Sequence, residues 1–233
     1  MENTLDLIII NNKEKNNINN DILKTLKPGG YIFSFDVPKK VHNSVCDLED
    51  IGFLIKDSIS YFFKENEDVK QDVVCLAMKP LSEKTFADNV LKWGTGALNI
   101  DSSRIKYEDT PNPVTNPLYR ATNGYKILEK GQKSKGAINF TYSKNEVNIG
   151  GRFPANLIFH KDVAPILDKQ SDKASRFFKN VDSQKELLKY LTVLGMPPVK
   201  GKIMFIGFDN TDEIIKEINN ENGTSYETVG GKN

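Results

Sequence analysis

Residues 5–10 read LDLIII, and this run constrains the chain more than any other stretch. A strand-length apolar run without polar alternation fits a parallel strand buried on both faces, and a sheet of such strands needs helices packed on each side. The run breaks at Asn11 into NNKEKNNINND. In an open α/β sheet, ligands gather just beyond the carboxyl ends of the strands. What stands at positions 11–14 therefore decides what chemistry this strand can support.

The segments that follow continue the alternation. NDILKTLKPGG predicts a helix with Asn20 or Asp21 as cap and a Pro-Gly-Gly stop, and YIFSF a second strand. VHNSVCDLEDIG predicts a helix ending at Gly52, after which FLIKDSISYFF and DVVCLAM read as a hairpin. Residues 1–80 thus form half of a doubly wound sheet. Residues 81–150 hold one helix-like stretch and then an irregular insertion punctuated by Pro111, Pro113 and Pro117. In 151–219, RFPANLIFH and GKIMFIGF read as strands, SQKELLKYLTVLGMPP and TDEIIKEINNEN as helices, and residues 220–233 as a frayed tail.

Bulk properties narrow the classes. A chain of 233 residues suits one domain with an insertion, and its 32 basic against 31 acidic residues give no global attraction to nucleic acid. Cys46 and Cys75 read as buried free thiols, and two Cys with two His at scattered spacing make no zinc site, so no metal is expected. The apolar stretch at the amino end is too short for a secretory signal, and no run nears the roughly 20 apolar residues of a membrane span. A soluble cytoplasmic protein without a membrane partner is expected.

Four segments add a resemblance: LKPGGYIFSF, MKPLSEKTFADNVLKWGTGALNIDSSRI, GRFPANLIFH and SRFF. Together, over about residues 5–219, they resemble the amino-methylating DNA methyltransferases, which transfer methyl from S-adenosylmethionine to adenine N6 or cytosine N4. The group most similar is common in phages and restriction-modification systems, which implies phage or mobile-element origin and, if phage-encoded, association with a virion. The resemblance implies a Rossmann-like methyltransferase sheet with helices on both faces. The catalytic half comes first, a target-recognition insertion follows, and a shortened cofactor half comes last.

The family's functional loops are altered in this chain. The resemblance places an Asp (or Asn or Ser)-Pro-Pro-aromatic loop after the first strand, where polar groups hold the target amine and the ring stacks on the flipped base. Here the matching positions are Asn11, Asn12, Lys13 and Glu14, without prolines or aromatic ring. A glycine-rich loop should cradle the cofactor's methionine part. One register makes Asp209 the acidic ribose-binding position and deletes the glycine loop; the other makes MFIGFDN the loop, with Gly207 its only glycine. The third family motif is replaced by NVDSQK, and Asp36 stands where a small residue is usual. These losses imply a chain that is not an enzyme, with no catalytic residues and no bound S-adenosylmethionine.

The remaining candidates are weaker. Asp209 is read as a helix cap rather than a vestigial ribose ligand, and His42 and His160 as surface or capping residues. LKPGG is read as a helix stop rather than a phosphate loop. Arg152 and Arg176 are read as structural. The stretch 119–144 carries Arg120, Lys126, Lys130, Lys133, Lys135 and Lys144 with Tyr125 and Tyr142 among them, a pattern suited to phosphates and stacked bases. The expected function is binding, to DNA or to an active paralogue, another protein partner or a second copy. The alternatives are an assembly protein reusing the fold without nucleic acid, and an active methyltransferase completed by a partner chain.

Overall fold

The computed structural model describes residues 2–14, 17–106, 151–153, 155–197 and 199–229. Two compact units emerge: residues 1–103 with 154–233, and residues 104–153. In the second unit, the described residues form one antiparallel bridge, with Ile105 and Arg152 exchanging backbone hydrogen bonds of 3.1 and 2.8 Å.

In the first unit the chain runs β1 (Leu5–Asn11), α1 (Asn20–Thr25), β2 (Leu26–Asp36), α2 (Val41–Asp50), β3 (Leu54–Glu65), β4 (Asp68–Met78) and α3 (Phe86–Trp93). It resumes with β5 (Leu157–His160), α4 (Ala164–Gln170), β6 (Lys179–Val181), α5 (Gln184–Gly195), β7 (Lys200–Ile206), α6 (Thr211–Asn222) and β8 (Ser225–Thr228). Among the described residues these strands make one eight-stranded sheet in the order β6-β5-β3-β4-β2-β1-β7-β8. β4 is antiparallel to both its neighbours, and every other pairing is parallel.

The apolar run in β1 is explained by burial on both faces. Leu7 and Ile9 point into one core with Phe33, Leu76, Leu187 and Leu191, whereas Ile8 and Ile10 point into the other with Ile22, Ile32 and Leu48. Helices α5 and α6 cover the first face and α1 and α2 the second. The result is a Rossmann-like α/β sheet with helices on both faces, as the sequence leads one to expect.

Three local expectations are corrected. Pro28-Gly29-Gly30 lies inside β2, where the pairing with β1 shifts register between Leu5 and Leu7. Gly29 adopts φ +79°, and an added Cβ would stand 2.6 Å from Asn89 Nδ2 and 2.9 Å from Gly96 Cα. Asn89 Nδ2 donates to Pro28 O at 2.9 Å and Thr95 Oγ1 to the same oxygen at 2.6 Å, so the PGG and WGTG segments interlock. Cys46 is exposed, on the outward side of α2, while Cys75 is buried. The supposed frayed tail contains β8, which pairs with β7 from Lys200–Ser225 to Ile203–Thr228. A parallel partner needs a crossover, and α6 supplies it.

Candidate functional site at the carboxyl edge of the sheet

β1 is the strand at which the order of the sheet turns back. The next strand in the chain lies on one side of it, and β7, from the end of the chain, on the other. Doubly wound sheets bind ligands at such a switch point, outside the carboxyl ends of the strands. The tip of β1 stands there, and the structure surrounds it with two features.

Toward β2 lies a buried polar network. Asn12 is 5% exposed, and its Nδ2 donates to Ser34 Oγ at 3.0 Å and Ser44 Oγ at 3.4 Å. Its Oδ1 accepts from Asn17 N at 3.0 Å. Ser44 Oγ in turn donates to Asp36 Oδ2 at 2.7 Å, and Val37 N to Asp36 Oδ1 at 2.8 Å. Lys13 reaches down to buried Asp72 with an N–O distance of 2.7 Å, while Lys40 Nζ donates to Lys13 O at 2.8 Å. Burial holds the Asp72 carboxyl above its ordinary range. The Lys13 hydrogen bond and charge pull it down, and Asp36 and Glu65 push it up. Burial, with the nearby Asp72 and Asp162 carboxylates, raises Tyr61 to about 12. Of the four tip residues, only Glu14 is exposed. The loop is thus pinned rather than solvated, by Ser34, Ser44 and Asp72, which sequence reading did not single out.

Toward β7 lies a cleft of ≈ 410 Å³ bounded by Asn11, Lys185, Leu188, Gly207, Asp209 and Glu213. Its floor is the turn from β7 into α6, with Gly207 at φ +73° and Asn210 at φ +54°. Asn11 Nδ2 donates to Gly207 O at 3.3 Å, and Asn17 Nδ2 to Asn11 O at 2.8 Å. Phe208 packs edge-on against Phe35 and Phe205, with ring centroids 5.3 and 6.5 Å apart. Lys185 spans the mouth to Glu213 at 3.0 Å and to Glu217 at 2.6 Å. A larger, shallower depression of ≈ 560 Å³ lies between α6 and β8 and is not lined by the β1 tip.

Asp209 does not cap α6. The cap position is Asn210, which makes no side-chain cap bond, and Asp209 stands exposed at the cleft's edge. Beside β1 stands β7, which ends at Ile206 just before Gly207, so the turn holding that glycine occupies the switch point.

S-adenosylmethionine, the cofactor that the resemblance implies, is not matched by these residues. A Cβ added to Gly207 would lie 3.2 Å from Asn11 Cβ and 3.4 Å from Asn11 O, so the glycine accommodates the chain's own β1 tip. Phe208 is turned into the core.

The other sequence candidates scatter. His160 accepts from Asp162 N at Nδ1, 3.3 Å away, and its Nε2 lies 2.8 Å from Asp182 O. His42 is exposed on α2. Arg176 Nη1 donates to Asp172 O and Lys173 O at 3.1 and 2.6 Å, and its guanidinium lies 4.5 Å from the Phe177 ring centroid. Among the described residues, no three His, Cys, Asp or Glu side chains gather as a metal site, and no helix is long and apolar enough to cross a membrane. Arg120, Tyr125, Lys126, Lys130, Lys133, Lys135, Tyr142 and Lys144 lie outside the described residues.

No family model and no curated protein matches the chain. Among solved structures it is similar to the M1.HpyAVI–SAM complex, with a TM-score of 0.47 and 11% identity, covering 100% of this chain and 84% of that one. It is also similar to M1.HpyAVI alone, with a TM-score of 0.47 and 9% identity, covering 99% and 83%. M1.HpyAVI is a DNA methyltransferase. The expectation that the chain is not an enzyme is withdrawn: the described residues give no positive sign of inactivity.

Proposed function

We propose that the protein is DNA methyltransferase-related and works on DNA as one chain of a methylating assembly. It contributes the sheet and a DNA-contacting surface, and a second chain supplies the loops that hold cofactor and target base. The observation that carries this reading is the switch point. The β1 tip stands where an α/β sheet does its chemistry, yet Asn11 and Gly207 are in contact across it and no aromatic ring follows the strand. The cation- and aromatic-bearing stretch 119–144 supports the DNA part, since clustered Lys and Arg release counterions from phosphates.

Two measurements test it. Fluorescence anisotropy with duplex and single-stranded DNA is expected to show binding that weakens steeply with salt. Engaging about four phosphates would give a log–log slope near −3 to −4. No binding at low salt removes DNA from the reading. Methyl transfer from labelled S-adenosylmethionine to DNA is expected only when a chain bearing the Pro-Pro-aromatic and glycine-rich loops is added. Transfer by the isolated protein removes the second chain.

A further inference from the structure

The proposed division of labour leaves open why this chain would need help at a switch point that still has a cleft beside it. The register of the sheet supplies a reason. β1 and β7 pair through Ile10 and Ile206, and at a ligand-binding switch point the chains would part after such a pair. Here they stay together for one more residue. Asn11 Nδ2 donates to Gly207 O at 3.3 Å, while Asn17 Nδ2 holds Asn11 O at 2.8 Å from the other side. Gly207, at φ +73°, turns the chain immediately against Asn11 Cβ, and Phe208 follows it inward onto Phe35 and Phe205.

We infer that Asn11 is a latch that keeps the crevice between β1 and β7 shut, so that the isolated chain excludes an adenosyl ligand which the opened crevice would admit. The inference rests on the proposed division of labour and gives it a cause in this chain's own residues. Outside the latch the cleft remains, with the exposed Asp209 carboxylate at its edge as a hydroxyl acceptor and Leu188 as an apolar wall. An adenosyl group needs acceptors for its ribose hydroxyls and apolar surface for its base. What the closed form lacks is depth between the strands. Asn11→Ala removes the bond to Gly207 O, whereas Asn11→Asp replaces the donor with an acceptor facing a carbonyl oxygen, which drives the two apart.

The test is calorimetric titration of the wild-type chain and both variants with S-adenosylhomocysteine, alongside a thermal melt to establish folding. The wild-type chain is expected to show no binding at about 1 mM ligand, and each variant to gain at least about tenfold in affinity. Micromolar binding by the wild-type chain overturns the inference without reference to any variant. Folded variants that bind no better than wild type also overturn it. DNA anisotropy on the same samples separates the two proposals: the DNA reading survives or falls on that signal alone, whatever the latch does.

Discussion

Asn12 shows how much one residue can be misjudged from its neighbours in the chain. In NNKE it looks like loop filler, yet three segments converge on it, bringing Ser34, Ser44 and the Asn17 amide. Asn12→Ala would strip partners from at least two buried polar groups, at ~1–3 kcal/mol each. A loss of about 2–3 kcal/mol in urea unfolding is therefore expected. Glu14→Ala, two positions away and exposed, should stay within about 0.5 kcal/mol. Asp72 sets a second test at this scale. Because burial raises its carboxyl in the folded state, the folded chain binds that proton more tightly than the unfolded chain does. Its contribution to stability therefore falls as pH rises from the ordinary carboxylate range through the raised value. The unfolding free energy of wild type minus that of Asp72→Asn should be most favourable to wild type near pH ~4 and decline above it. A flat or rising difference would refute the assignment.

At the scale of elements, what was legible is what local pattern encodes. LDLIII, the 54–78 hairpin and the amphipathic helix over 184–195 all emerge where periodicity puts them, because their burial is written in consecutive residues. The KPGG segment misleads because its reason is remote. A helix stop and a strand bulge both ask for glycine, and only the arrival of Asn89 and Gly96 decides between them. Gly195 poses the same kind of contest at the end of α5. Inside a helix, Gly→Ala ordinarily gains about 0.5–1 kcal/mol. Here the new Cβ would meet Leu7 Cδ1 at 2.7 Å, with Leu7 Cδ2 and Phe33 Cζ both at 3.0 Å, and both side chains are fully buried. Overpacking a closed core costs about 1–3 kcal/mol. The steric term wins, and Gly195→Ala should lower the urea midpoint without changing the slope of the transition.

At the scale of the whole molecule, the sheet's last strand matters most, and it was the hardest to read. SYET alternates exposed and buried over only four residues, too short for periodicity to separate it from a loose tail. Its weight comes from Tyr226, which is 4% exposed and donates its hydroxyl to Pro197 O at 2.7 Å. Its backbone N–H and C=O are both bonded to the Asn219 side chain, on α6. Deleting residues 225–233 would therefore remove a buried ring, which at ~3–5 kcal/mol is a sizeable share of the 5–15 kcal/mol that holds a typical domain together. It would also uncover the β7 edge, a template for pairing with other chains. The truncated protein should melt well below the full chain and aggregate on concentration, and Tyr226→Ala should reproduce the first effect with less of the second. A truncated chain that melts with the wild type would return these residues to the status of a tail and leave β7 as the natural end of the sheet.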